Sequence, residues 1–204
     1  VNKEGKEPIK AIWRGSNAMP YWSYDGCEGQ KATIEVYSDG ASVELFVNDK
    51  SCGIKELTDY MASFEAIYEP GVIKAVALDE KGDMISESFL ASATGDTKIA
   101  ITPETEDIKT GDITYFDISL RGENGQVECN KDCEIKLQVT GGELLGFGSA
   151  NPCTEEDFLS GIHNTYYGRA QAVVRVTSPE LILAASADNM EEAAWIGGVS
   201  GNEF

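Results

Sequence analysis

The strongest constraint on this chain is an alternation of apolar and polar side chains with a period of two. Val43, Leu45 and Val47 alternate with Glu44, Phe46 and Asn48. Phe116, Ile118 and Leu120 alternate with Tyr115, Asp117 and Ser119, and Ile135, Leu137 and Val139 with Glu134, Lys136 and Gln138. Ile34 and Val36 repeat the pattern among Thr33, Glu35 and Tyr37. Successive side chains of a strand point to opposite faces, so each run sets one row on a core and the other in water. A surface helix needs apolar residues three and four apart, and that spacing is scarce here. The sequence therefore predicts half-buried antiparallel strands. Residues 72–78, 172–176 and 181–187 are nearly continuous apolar runs and predict strands buried on both faces.

Turn residues punctuate these runs. Asp39-Gly40, Asn48-Asp49, Pro70-Gly71, Lys81-Gly82 and Asn124-Gly125 all stand between strand-like stretches. Short strands at such regular intervals predict sandwiches. A chain of 204 residues exceeds one ordinary sandwich, so two are expected. The small, polar stretch around residues 94–98 separates a closing strand from an opening one, which gives domains of 1–96 and 97–204. The predicted fold class is all-β, two tandem immunoglobulin-like antiparallel β-sandwich domains. "Immunoglobulin-like" describes architecture alone, because the Cys…Trp…Cys pattern of antibody domains is missing.

The net charge is −19, from 35 acidic against 16 basic residues. Such a surface repels phosphate backbones and anionic lipids, so neither nucleic acid nor membrane is an expected partner. No apolar stretch is long enough to span a bilayer as a helix. Five cysteines, Cys27, Cys52, Cys129, Cys133 and Cys153, cannot complete a disulfide framework. Free thiols are expected, which favours the cytoplasm over secretion. Cys129 and Cys133 have no second Cys/His pair to make a zinc site. The polar N-terminus has no signal-peptide core and does not begin with Met, as expected of an internal fragment whose signal, if any, lies upstream.

The stretch 141–175 contains a long loop without hydrophobic period between two strand-like runs. Such loops are uncommon in compact domains and usually have a task. Its Gly-Phe-Gly-Ser has no Lys and no following helix, so it is no phosphate loop. Thr154-Glu-Glu-Asp157 fits a capped helical turn better than a calcium loop. His163 is the only histidine and, without partners for a catalytic unit, reads as structural or solvated. No catalytic residue, metal ligand or cofactor is assigned. Aromatic residues are the remaining candidates for contact, Trp13 and Trp195 among them. Trp22 and Tyr24 suit a domain interface near the N-terminal entry or a sugar platform. Tyr166 and Tyr167 would point to opposite faces if extended, one into the core and one toward another domain or a glycan.

GGELLGFGSANP (141–152) and TYYGRAQAVVR (165–175) resemble the last domain of family 2 glycoside hydrolases of the β-galactosidase type. EVYSDGASVELFVNDKSCG (35–53) and YEPGVIKAVALDEKGD (68–83) resemble the sandwich that follows the catalytic barrel in that family. Trp22-Ser-Tyr24 stands where the family tends to carry Trp-x-Trp. The resemblance covers about residues 17–198. It implies accessory, non-catalytic domains of a bacterial enzyme of the β-galactosidase type, whose parent hydrolyses terminal β-galactosides or related β-glycosides with retention. Retention needs two carboxylates about 5–5.5 Å apart. In the family these sit on a (β/α)₈ barrel of about 250 residues, which this chain cannot supply. Asn202-Glu203 matches the family's acid/base pair only by coincidence, in a Gly-rich tail. The implied partners are the parent's barrel, carbohydrate, and further copies in a homo-oligomer. The alternative reading is a carbohydrate-binding module.

Overall fold

The computed structural model describes residues 16 and 18–198. Trp13, Asn202 and Glu203 lie outside the described residues. The described residues contain fourteen strands and no helix. The chain divides into two compact units, Val1–Ala93 and Thr94–Phe204.

The first unit contains β1 (Lys31–Tyr37), β2 (Ser42–Val47), β3 (Lys50–Glu56), β4 (Met61–Ile67), β5 (Val72–Leu78) and β6 (Met84–Ala91). β1 pairs with β4, and the other four form a sheet ordered β3-β2-β5-β6. Both sheets are antiparallel. The period-two pattern sets the core: Val43, Leu45 and Val47 point inward from β2, with Ala62 and Phe64 of β4 and Ile73 and Ala77 of β5 also buried. Asn48 and Asp49 both adopt positive φ, 49° and 63°, the backbone of a two-residue hairpin joining β2 to β3.

The second unit contains β7 (Lys98–Pro103), β8 (Ile113–Arg121), β9 (Glu134–Thr140), β10 (Gly142–Gly148), β11 (Ile162–Asn164), β12 (Arg169–Val176), β13 (Glu180–Ser186) and β14 (Ala193–Gly198). Two sheets form, β10-β12-β8-β7 and β11-β9-β13-β14. Phe116, Ile118 and Leu120 of β8 face Ile135 and Leu137 of β9 and Leu181 and Leu183 of β13 in one core. Trp195 of β14 packs edge-on against Phe116, ring centroids 4.9 Å apart.

The runs expected to be buried on both faces are covered on one. In β12 Ala170, Ala172, Val174 and Val176 are buried while Gln171 and Arg175 are exposed. In β13 Leu181, Leu183 and Ala185 are buried and Ile182 and Ala184 half-buried. In β5 Ile73 and Ala77 are buried but Val72 is exposed. These are inner strands of antiparallel sheets with a single packed face, and apolar content alone does not reveal whether a second layer exists.

Candidate functional site

The long loop and the tyrosine turn are both crossings between the two sheets of the second unit. Residues 149–161 carry the chain from β10 in one sheet to β11 in the other, and residues 165–168 carry it back to β12. The loop follows the strands closely. Phe147 N–H donates to Phe158 O at 2.7 Å and Leu137 N–H to Gly161 O at 2.8 Å. Gly148 permits this approach, since a Cβ there would lie 2.2 Å from the Phe158 ring.

Glu156 fastens the loop to β11. Its Oε1 accepts both the backbone N–H and the side-chain amide of Asn164, each at 2.8 Å. Its Oε2 accepts the Thr154 hydroxyl at 2.7 Å and lies 3.5 Å from His163 Nδ1. Burial by itself would raise this carboxyl. The Thr154 and Asn164 donors, with His163, outweigh that effect and hold it below the ordinary glutamate value. The expected helical turn at 154–157 does not form. Thr154 Oγ1 accepts from Glu156 N–H, two residues on, at 3.2 Å, which closes a local turn instead of a helix cap.

His163 is fully buried. Its ring lies 5.0 Å from Phe158 and 6.4 Å from Phe147. Nδ1 is 2.9 Å from Asn164 O, so Nδ1 carries the proton in the tautomer that donates there. The structural reading of this residue describes what it does: it fills the space between loop and sheet.

Tyr167 is not extended, and neither it nor Tyr166 is fully buried. Tyr167 has φ 52° and Gly168 φ 68°, and Tyr166 and Arg169 exchange backbone hydrogen bonds of 2.9 and 3.3 Å. This is a two-residue turn with positive φ at both central positions. The two rings meet edge to face, centroids 4.7 Å apart. Burial, reinforced by Tyr166, pushes the Tyr167 hydroxyl above its ordinary value. Asp132 Oδ1 accepts Gly168 N–H at 2.9 Å, and Leu120 N–H donates to Gly168 O at 2.9 Å. A Cβ on Gly168 would fall 2.3 Å from Glu128 O, so the turn is held against a neighbouring backbone. Next to it, on the outer surface of β8 and β12, Arg169 Nη1 lies 3.1 Å from Asp117 Oδ2 and Arg121 Nη2 lies 3.5 Å away.

In the first unit Trp22 is only 3% exposed and presents no open ring face. Its Nε1–H donates to Glu69 O at 3.2 Å, and its ring packs edge-on against Tyr68 at 5.0 Å. Tyr24 is half-buried beside the same tyrosine, at 5.8 Å. Sequence reasoning passed over Tyr68, the residue that joins these parts. Its hydroxyl accepts Tyr24 N–H at 2.9 Å and lies 3.4 Å from Ser92 Oγ, and Ser92 Oγ donates to Trp22 O. The entry segment, the end of β4 and the end of β6 are thereby tied together.

All five cysteines are free thiols, with Cys27 and Cys129 buried. Among the described residues no group of three or more His, Cys, Asp or Glu is placed to hold a metal ion.

Two family models match the chain. A domain of unknown function (DUF4982) covers residues 29–86, and glycoside hydrolase family 2 C-terminal domain 5 covers residues 99–195. The chain is 29% identical over 165 residues to the β-galactosidase BoGH2A of Bacteroides ovatus, covering 77% of this chain and 19% of that protein. It is 37% identical over 79 residues to a β-glucuronidase of Formosa agariphila, covering 36% of this chain and 8% of that protein. A crystal structure of a glycosyl hydrolase family 2 member from Bacteroides cellulosilyticus superposes with a TM-score of 0.83 at 26% identity, over 98% of this chain and 27% of that one. The chain thus spans about a fifth to a quarter of the length of these fuller matches. Over residues 99–195, from β7 into β14, the second unit matches the family's C-terminal domain model, and this part of the chain resembles a C-terminal β-sandwich domain of a glycoside hydrolase family 2 enzyme.

Proposed function

We propose that this chain is the accessory C-terminal part of a larger family 2 β-glycosidase, and that its parent hydrolyses terminal β-galactosides or related β-glycosides with retention. The observation that carries this reading is the match of residues 99–195 to glycoside hydrolase family 2 C-terminal domain 5. The β-galactosidase relative, in which the matched region is 19% of the whole, supports it. On this reading the domains are 1–96 and 97–204, and bond cleavage belongs to a barrel elsewhere in the parent. The β-glucuronidase relative keeps glucuronides among the related substrates.

Within this role the four aromatic residues divide. Trp22 and Tyr24 brace the entry of the first unit through Tyr68. Tyr166 and Tyr167, half-covered at a turn between sheets, are the contact with another domain of the parent or with a glycan held near its active site. The test is product stereochemistry. The full-length parent, incubated with an aryl β-galactoside and an aryl β-glucuronide, should release one of the sugars first as the β-anomer by proton NMR. Release of the α-anomer, or inertness toward β-glycosides of every kind, would refute the assignment.

A further inference from the structure

The outer face of the β3-β2-β5-β6 sheet is built as an interface. Directly opposed residues of an antiparallel sheet share a face, so the register identifies its rows. Ser51, Phe46, Lys74 and Phe89 form one row. Ile54, Glu44, Val76 and Glu87 form the next, and Glu56, Ser42, Leu78 and Met84 a third. Val72 extends the band beyond Lys74 on β5. Ile54 is 59% exposed, Met84 63% and Phe89 68%. The one cation among these residues, Lys74, lies over the Phe46 ring at 5.0 Å, so its stem adds to the apolar cover. Exposed Ile54, Met84 and Phe89 gather on this one face beside the polar members of the rows, more bulky apolar surface than a face meant for water carries. β6 is also exposed along nearly its whole length and stands at the edge of its sheet. A long apolar edge strand left open invites unwanted pairing.

We propose that this face docks on the remainder of the parent chain, the part that the relatives carry beyond the matched C-terminal region. The proposal rests on the accessory-domain reading. The length of chain outside the match argues for this occupant: 81% of the β-galactosidase relative and 73% of the solved relative lie beyond it. Covalent linkage presents that polypeptide at an effective concentration of roughly millimolar, well above that of a free second copy or soluble partner. The charges on these rows describe the counter-surface. Glu44, Glu56 and Glu87 outnumber Lys74, so the facing surface offers Lys or Arg among its apolar side chains.

Methionine oxidation by dilute peroxide reads this face directly. Met84 in the 204-residue chain should oxidise fast, and Met84 in the full-length parent about tenfold or more slowly, as a covered side chain does. Phe89→Glu should restore fast oxidation in the parent and lower its Tm, while leaving the Tm of the 204-residue chain unchanged. Equal Met84 rates in the two proteins would overturn the proposal. So would a 204-residue chain that dimerises in light scattering and protects Met84 as its concentration rises, because the face would then belong to a second copy. Glycosidase activity is measured on the same parent sample. An active parent with unprotected Met84 defeats the docking surface alone and leaves the accessory reading intact.

Discussion

Glu156 and Asn164 are joined twice, backbone N–H and side-chain amide both donating to one carboxylate oxygen at 2.8 Å. This pair of hydrogen bonds to a charged acceptor is what holds the crossing loop to the edge strand β11. Replacing Glu156 with Ala removes it together with the Thr154 contact. Hydrogen bonds to charged groups contribute about 1.5–3 kcal/mol each when buried, and the partial exposure of this carboxylate cuts each of these well below that range. Urea unfolding at pH 7 should show the second unit weakened by about 1–2 kcal/mol.

The same substitution has a pH signature. The folded carboxyl titrates below its ordinary value, so its contribution is complete above the unfolded glutamate value of about 4.3 and is lost as pH falls through the lower folded value. The stability gap between the wild type and Glu156→Ala should therefore close on acidification. A gap that persists unchanged at pH 2 would assign the effect to packing.

Gly168→Ala tests the tyrosine turn. The residue needs φ 68°, and its new Cβ would meet Glu128 O at 2.3 Å. The left-handed backbone costs roughly 1–2 kcal/mol for an L-residue, and the clash with main chain adds to it. A loss of more than about 2 kcal/mol is expected in chemical denaturation. Near-ultraviolet circular dichroism should change too, because the ring contact of Tyr166 with Tyr167 depends on this turn.

Tyr68→Phe isolates one hydroxyl. It removes the hydroxyl that accepts from Tyr24 N–H and that neighbours Ser92 Oγ inside the first unit. Losing a hydrogen bond of this kind costs about 0.5–1.5 kcal/mol. Trp22 fluorescence, read from a ring 5.0 Å away, should report a less stable first unit with the second unit unaffected.

The sandwich rows were legible because period-two alternation is a property of the strand itself. Phe116, Ile118 and Leu120 fall on the core without reference to anything distant. The site was less legible. The positive φ of Tyr167 is hard to foresee because a bulky aromatic residue seldom takes it, and only the glycine after it marks a turn. Thr154 carried the letters of a helix cap, but the same hydroxyl can close a shorter turn when the chain beyond is drawn to a strand. Trp22 reads from the sequence as a domain-interface residue or a sugar platform, and only Tyr68, 46 positions away in the chain, places its ring in a core. The two-sided burial expected of β5 depends on a layer that no local pattern describes.

The most direct test of the account is turnover by the 204-residue chain alone. Purified, folded chain at high concentration should release no nitrophenol from p-nitrophenyl β-galactoside or β-glucuronide above the buffer rate, while the full-length parent turns over at least one of them. Sustained, concentration-proportional release by the isolated chain would contradict it.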